Sequence, residues 1–280
     1  MPAAKVRTLL RLLDDQNDSV RDGVAMALLD YHGDVSDQLL AEGLNLNNQE
    51  TQLLSERLHP GRQAALRAEW VVPFGPLNSP EGDWDGLEAL LRLLSDYLHD
   101  GVSVRPSLSD SLDLLTAELS EQPESPEALA RLLFGPGGPL TGNRMHPYDP
   151  RNADLAWCIE NGQSNPLGLS LIYSLVGRRL GLEIYGCNYP GHFLSLINLH
   201  GAATLVDCFH GARLTVVPDL LRKHPEISEK ARFALSQPCT LLAMLRRLLA
   251  NLHLAFDKAG RQDDAELLYE LLVPFGESED

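Results

Sequence analysis

Apolar positions along this chain follow two periods, and the change between them marks its organisation. Val6, Leu9, Leu10 and Leu13 recur at helical spacing. After the polar stretch DDQND, Ser19 predicts the cap of a second helix carrying Val20, Val24 and Leu28. Leu39-Leu40 and Leu53-Leu54 mark two more helices. Residues 61–83, with PGR, PFGP and SPEGD, predict a connection over the surface. Leu87, Leu90, Leu91, Leu94 and Leu98 then predict a helix over 84–99, followed by others over 107–120 and 125–134. GPGGPLTGNRMHPYDPRN (135–152) is a long loop, and a short helix follows over 154–160.

Residues 164–211 organise the rest. Leu167, Leu171 and Leu175 form one stripe; Ile172, Val176 and Leu180 form a second. A helix apolar over most of its circumference is buried. Asn165 predicts its cap and Pro166 its first residue, while Gly181 ends it behind Arg178 and Arg179. Gly168, Ser170, Ser174 and Gly177 leave room for close approach by sheet backbone. The period then shortens to two. Residues 182–189 alternate, Pro190-Gly191 turns, His192 opens a strand FLSLI, and residues 198–203 turn into TLVDCF. If Leu194 faces Asp207, then His192, Leu194, Asp207 and Phe209 share a face, with His192 and Asp207 diagonal neighbours roughly 7–8 Å apart at the backbone. A slip of one residue would separate them. Beyond Gly211 the pattern returns to helix, with Leu241, Leu245, Leu248, Leu252 and Phe256 over 240–259 and a last helix from Asp263 to before Pro274.

A central helix followed by a strand bearing His and a strand bearing Asp resembles the transglutaminase-like, papain-related fold. NPLGLSLIYSLVGRRLGL, NYPGHFLSLI and VDCFHGARL, with YDPRNADL upstream, resemble the SirB subgroup of that superfamily. LLDDQNDSVRDGVAMALLD resembles a HEAT-type helical hairpin, and NLHLAFDKAGRQDDAELLYELL a TPR hairpin, which matches that subgroup's layout over most of the chain. The resemblance implies an α+β fold. A papain/transglutaminase-like core, with its central buried helix on a small antiparallel sheet, spans 61–235. A HEAT-like helical module over 1–60 and a TPR-like hairpin over 236–280 flank it. In that superfamily a Cys at the helix start attacks, a His activates it and an Asp orients the His. Here the resemblance maps the His to His192 and the Asp to Asp207, but the Cys position falls on Asn165 or Pro166, neither of which is a nucleophile. Ser164 is the nearest hydroxyl, more readily understood as a helix-flanking residue.

Composition narrows the function. An apolar content of 44% supports a packed core, and a net charge of -16 spread along the chain argues against nucleic-acid or anionic-membrane surfaces. MPAAKVRTLL lacks a long apolar run, so no signal peptide is expected, and no segment has the length of a membrane span. Cys158, Cys187, Cys208 and Cys239 lack framework spacing, as in reduced cytoplasmic proteins. Cys187, His192, Cys208 and His210 offer a zinc-type donor set, but strand alternation puts Cys208 and His210 opposite Asp207, and buried Cys as small hydrophobes is the preferred reading. No cofactor and no metal are expected. Two functions follow. One is a non-catalytic cytoplasmic interaction or regulatory protein with a protein or peptide partner and a retained His192–Asp207 pair. The other is an acyl-transfer or hydrolase enzyme using that pair with Ser164 or a relocated thiol. Oligomeric state stays open.

Overall fold

In the computed structural model, residues 4–13, 15–119 and 122–276 are described. The chain divides into two compact units, Met1–Val71 with Leu93–Pro106, and Val72–Arg92 with Ser107–Asp280.

The first unit is helical: α1 (Ala4–Leu12), α2 (Asp18–Leu29), α3 (Ser36–Ala41) and α4 (Asn48–Glu69). Its stripes meet in one core of Val6, Leu9, Leu13, Val24, Leu28, Leu39, Leu54 and Leu58. The cap of α2 is Asn17, whose side chain accepts from the Ser19 N–H, so Ser19 lies just inside the helix. Residues 61–69 are not a connection: α4 runs through Pro60 to Glu69. Proline removes one helical donor, and tertiary contacts offset that loss. A Cβ on Gly61 would meet the Gly33 backbone nitrogen at 2.8 Å, and the buried Arg62 guanidinium donates to the carbonyls of Gly33, Asp100 and Ser55.

The second unit carries α5 (Phe74–Leu77), the first part of α6 (Trp84–Leu98), α7 (Leu108–Ala117) and α8 (Pro126–Phe134). Strand β1 (Thr141–Gly142), α9 (Leu155–Asn161), β2 (Gln163–Ser164) and α10 (Pro166–Arg179) follow. β1, inside the segment expected as loop, pairs in parallel with β2. In α10 every residue from Leu167 to Val176 is buried. Two of its small residues admit its own flanks: a Cβ on Gly168 would collide with the Ser164 hydroxyl, and one on Gly177 with the Ile184 side chain.

An antiparallel sheet follows in the order β3 (Tyr185–Cys187), β4 (Leu194–Leu199), β5 (Ala202–Asp207), β6 (Arg213–Val216). β3 is shorter than the alternating run, and the β4–β5 turn is only His200-Gly201, both at positive φ as a tight hairpin requires. β6 is a strand where a return to helix is expected; LTVV is β-branched enough to signal it. Ser195 faces Val206 and Leu196 faces Leu205, a register that runs on toward Leu194 and Asp207. Leu196, Leu205 and Cys187 pack with Val217 of α11 (Val217–Lys223) and Leu235 of α12 (Glu229–Ser236). α13 (Leu241–Lys258) and α14 (Gln262–Leu272) close the unit as a packed pair, and α13 also reaches α10. The mixed architecture, a buried helix with a small antiparallel sheet and helical flanks, is the expected α+β fold class.

Candidate functional site

β5 ends at Asp207, and the chain turns at once through the 3-10 turn Cys208–His210, closed by Gly211 at φ +75°. Asp207 caps this turn, its Oδ1 accepting from the His210 N–H at 3.2 Å. The same carboxylate accepts from two imidazoles: His192 Nε2 lies 3.0 Å from Oδ1, and His210 Nδ1 lies 2.8 Å from Oδ2. Burial alone raises the Asp207 pKa, but the hydrogen bonds and charges of His192 and His210 outweigh it and hold the carboxyl below its usual range. His192 is carried to Asp207 by the Pro190-Gly191 turn, with Gly191 at φ +76°.

Phe209 links this cluster to the helix start. Its ring stands edge-on to His192 at 6.0 Å, and it packs so closely on Gly142 that a Cβ there would stand 2.6 Å away. Gly142 pairs with Ser164, the residue two before Pro166. At the helix start, Asn165 spends its side-chain oxygen on the Gly168 N–H at 2.9 Å. Ser164 is fully buried and donates its hydroxyl to the Asn152 carbonyl at 2.9 Å. Asn152 in turn accepts from buried Asn143 at 3.0 Å and donates to the His146 carbonyl, fastening the long loop beside the helix. Sequence reading missed these two asparagines; polar residues inside a Gly- and Pro-rich loop do not announce their burial.

A cavity of about 160 Å³ opens beside the helix start, bounded in part by Tyr148, Asn165, Pro166, Phe193, Arg247 and Leu254. Arg247 of α13 donates to the Tyr189 carbonyl at 3.1 Å and sits 5.4 Å from the Phe193 ring, so one cation edges an otherwise mixed lining. Lys258 stands over the Tyr148 ring.

No cysteine stands at the helix start itself, although Cys158 and Cys208 border the site. Cys158 is buried and donates toward the Arg151 and Asn152 carbonyls. Cys187 donates to the Ala234 carbonyl, and burial pushes its pKa up to about 11. Cys208 lies 3.7 Å from the Ser195 hydroxyl, and burial pushes it up to about 12, as it does Cys239. The set Cys187, His192, Cys208 and His210 is therefore not gathered. Nor do His210 and Asp207 point apart, as alternation would require, because the strand stops at Asp207 and a 3-10 turn returns residue i+3 to its side. Among the described residues, the donors that converge are His192, Asp207 and His210, with ligand atoms all within 4.8 Å of one another.

A profile of the transglutaminase-like superfamily matches residues 103–250. A UPF0162 protein of Xylella fastidiosa is 32% identical over 154 residues, covering 53% of this chain and 54% of that protein. A UPF0162 protein of Pseudomonas aeruginosa is 35% identical over 132 residues, covering 45% and 48%. The chain spans about half the length of the curated relatives it matches. No solved structure matches it. No helix among the described residues is long and apolar enough to cross a membrane.

Proposed function

Since the chain belongs to the transglutaminase-like superfamily, we propose that it is a non-catalytic member, an interaction or regulatory protein whose inherited cleft holds a segment of a protein partner. The observation that carries this reading is the helix start. A thiolate there would be stabilised by unpaired backbone N–H groups, but Asn165 is engaged as the cap and Pro166 has no reactive atom. The thiols of Cys187, Cys208 and Cys239 are shifted upward by burial, away from the activated range. The ring of His192 bonds Asp207, and no thiol or hydroxyl partner is found for it among the described residues.

The cavity supports binding. A mixed lining of Tyr148, Phe193 and Leu254 with the amides of Asn152 and Asn251, the Asp149 carboxylate and the fixed Arg247 guanidinium suits an extended peptide that offers one apolar side chain and several polar backbone groups. The finer placement, in the SirB subgroup, rests on PGHFLSLI and VDCFHG. Four cysteines outside disulfides support a reducing, cytoplasmic setting. The competing reading, an acyl-transfer or hydrolase enzyme through Ser164, is disfavoured because that hydroxyl is buried and donates to a backbone carbonyl.

The test is thiol labelling with iodoacetamide at neutral pH, read at each cysteine by mass spectrometry. Slow labelling throughout is expected. One cysteine reacting far faster than glutathione, with that rate lost in His192→Ala, would overturn the reading. An ester hydrolysis abolished by Ser164→Ala would overturn it as well.

A further inference from the structure

The carboxylate of Asp207 lies between two imidazoles that come from different parts of the chain. His192 arrives from the turn before β4, while Asp207 and His210 belong to the end of β5 and the turn after it. We propose that His192 Nε2, an Asp207 carboxylate oxygen and His210 Nδ1 form a binding site for a borderline divalent cation of the zinc type. Gly191 and Phe193, on either side of His192, line the cleft beside Pro166, so the site borders that cleft, and it does not depend on whether the protein lacks a nucleophile.

The donor set selects the ion. Two imidazole nitrogens and one carboxylate suit zinc, cobalt, nickel or copper, whereas calcium and magnesium take oxygen ligands in larger number. Spacing agrees. Zinc bonds to nitrogen and oxygen of about 2.0–2.2 Å place tetrahedral donors about 3.3–3.6 Å apart. The present separations are 3.0 Å and 2.8 Å across the two hydrogen bonds, with all three donor atoms within 4.8 Å. An ion entering there replaces the two ring N–H groups that point at the carboxylate. Each imidazole then carries its proton on the other ring nitrogen, and the rings part from the carboxylate by roughly half an ångström to reach tetrahedral spacing.

The frame is set by the fold. The backbone N–H of His210 holds Oδ1 of Asp207 at 3.2 Å, which fixes the carboxylate before any ion arrives. The packing of Phe209 against His192 and His210, with centroids 6.0 Å and 5.1 Å away, limits ring rotation. Access is open, because the His210 side chain is 47% exposed, against 29% for His192 and 19% for Asp207. Three protein ligands leave a fourth position for water or for a donor from a partner, the arrangement of an open site and not of a closed structural one.

A brace of hydrogen bonds alone explains the cluster less well. One imidazole is enough to pair a half-buried carboxylate, and the exposed second imidazole has water available to it.

The experiment uses the full chain, stripped with a chelator and titrated with zinc chloride by calorimetry, then with cobalt chloride by absorption spectroscopy. One equivalent of zinc is expected to bind in the micromolar range or tighter. Asp207→Asn, His192→Ala and His210→Ala should each weaken it at least about tenfold, the smallest loss seen even for outer-sphere partners, while His224→Ala should leave it unchanged. Cobalt should give ligand-field bands without thiolate charge transfer. No uptake at micromolar zinc, uptake indifferent to all three substitutions, or a thiolate signature would each overturn the proposal. Should a variant fail to fold, imidazole resonances of the unaltered protein decide: zinc must shift those of His192 and His210 first, and prior shifts at other histidines refute the site.

Discussion

Arg179, in the last turn of the central helix, grips the Glu88 carboxylate of α6 through two guanidinium nitrogens, each 2.8 Å from a different oxygen. A third contact, Nε to Asp113 at 2.6 Å, ties α7 to the same group. The two main partners are 21% and 16% exposed, so solvent screens this pair less than an open surface pair. Burial raises the Glu88 pKa, but hydrogen bonds from Arg179 and Ser109 outweigh it and leave the group lowered. A lowered carboxyl contributes stability that is fully present above its unfolded value of about 4.3 and is lost as pH falls through the folded value. Glu88→Gln should therefore cost about 1.5–3 kcal/mol at pH 7, the range for a hydrogen bond to a charged group. In urea unfolding, the gap between the two proteins should narrow as pH drops below about 4. A gap independent of pH would mean that the pair is not electrostatic.

Leu171 and Leu175 lie on one stripe of α10, with exposures of 0% and 1%. Truncating either to Ala removes buried methyl groups and leaves a cavity, for an expected cost of about 2–5 kcal/mol. Chemical denaturation measures it. A loss below about 1 kcal/mol would place the helix at the surface.

How far this fold was legible follows from where its information is local. The cap at Asn165, the Pro166 start and the double Leu stripe are local signals, and α10 begins and ends close to where they place it. Three of the four antiparallel strands were legible too, since alternation and the Pro190-Gly191 turn lie in the sequence, whereas β6 was read as a return to helix. Three other features were not. α4 persists past Pro60 because Arg62 and Gly61 are held by Gly33 and Asp100, partners about 30 to 40 positions away that no local breaker rule sees. β5 was read through to Phe209, but Asp207 caps a 3-10 turn there, and that turn alone turns His210 from the opposite face to the same one. The buried amides of Asn143 and Asn152 draw their meaning from Ser164 and the helix start, which only the folded chain brings together.

Proteolysis should follow the corrected helix boundaries. Arg62 is buried and Arg67 lies within α4, whereas Arg144 sits in an exposed stretch with Met145 83% exposed. Brief trypsin treatment should cut after Arg144 before it cuts after Arg62 or Arg67, because cleavage requires backbone free of helical hydrogen bonds. Mass spectrometry of the first fragments gives the order. Early cuts at Arg62 would contradict the continuity of α4.

The last prediction rebuilds what the helix start lacks. Pro166→Cys places a thiol at the first position of α10, where backbone N–H groups without helical partners face outward and the Asn165 cap stays in place. Proline is tolerated there only because that position needs no donor, so its replacement should cost little stability. The new thiol differs from the native ones. Burial holds Cys187 near 11 and Cys208 and Cys239 near 12, whereas thiols at helix N-termini ionise at about 3.5–7.5. Iodoacetamide should therefore label Cys at 166 roughly an order of magnitude faster at pH 7 than a free thiol of pKa about 8.5, even though nucleophilicity falls somewhat with pKa. Dependence on His192 is the sharper readout. If the ring faces the helix start across Phe209, His192→Ala in the Pro166→Cys background should slow the labelling and raise the thiol pKa, and Asp207→Asn should do so less. A fast rate untouched by His192→Ala would assign the activation to the helix terminus alone and remove the imidazole from the cleft. A slow rate in Pro166→Cys itself would mean that this helix end does not stabilise a thiolate, and the inherited geometry of the site would be lost along with its nucleophile.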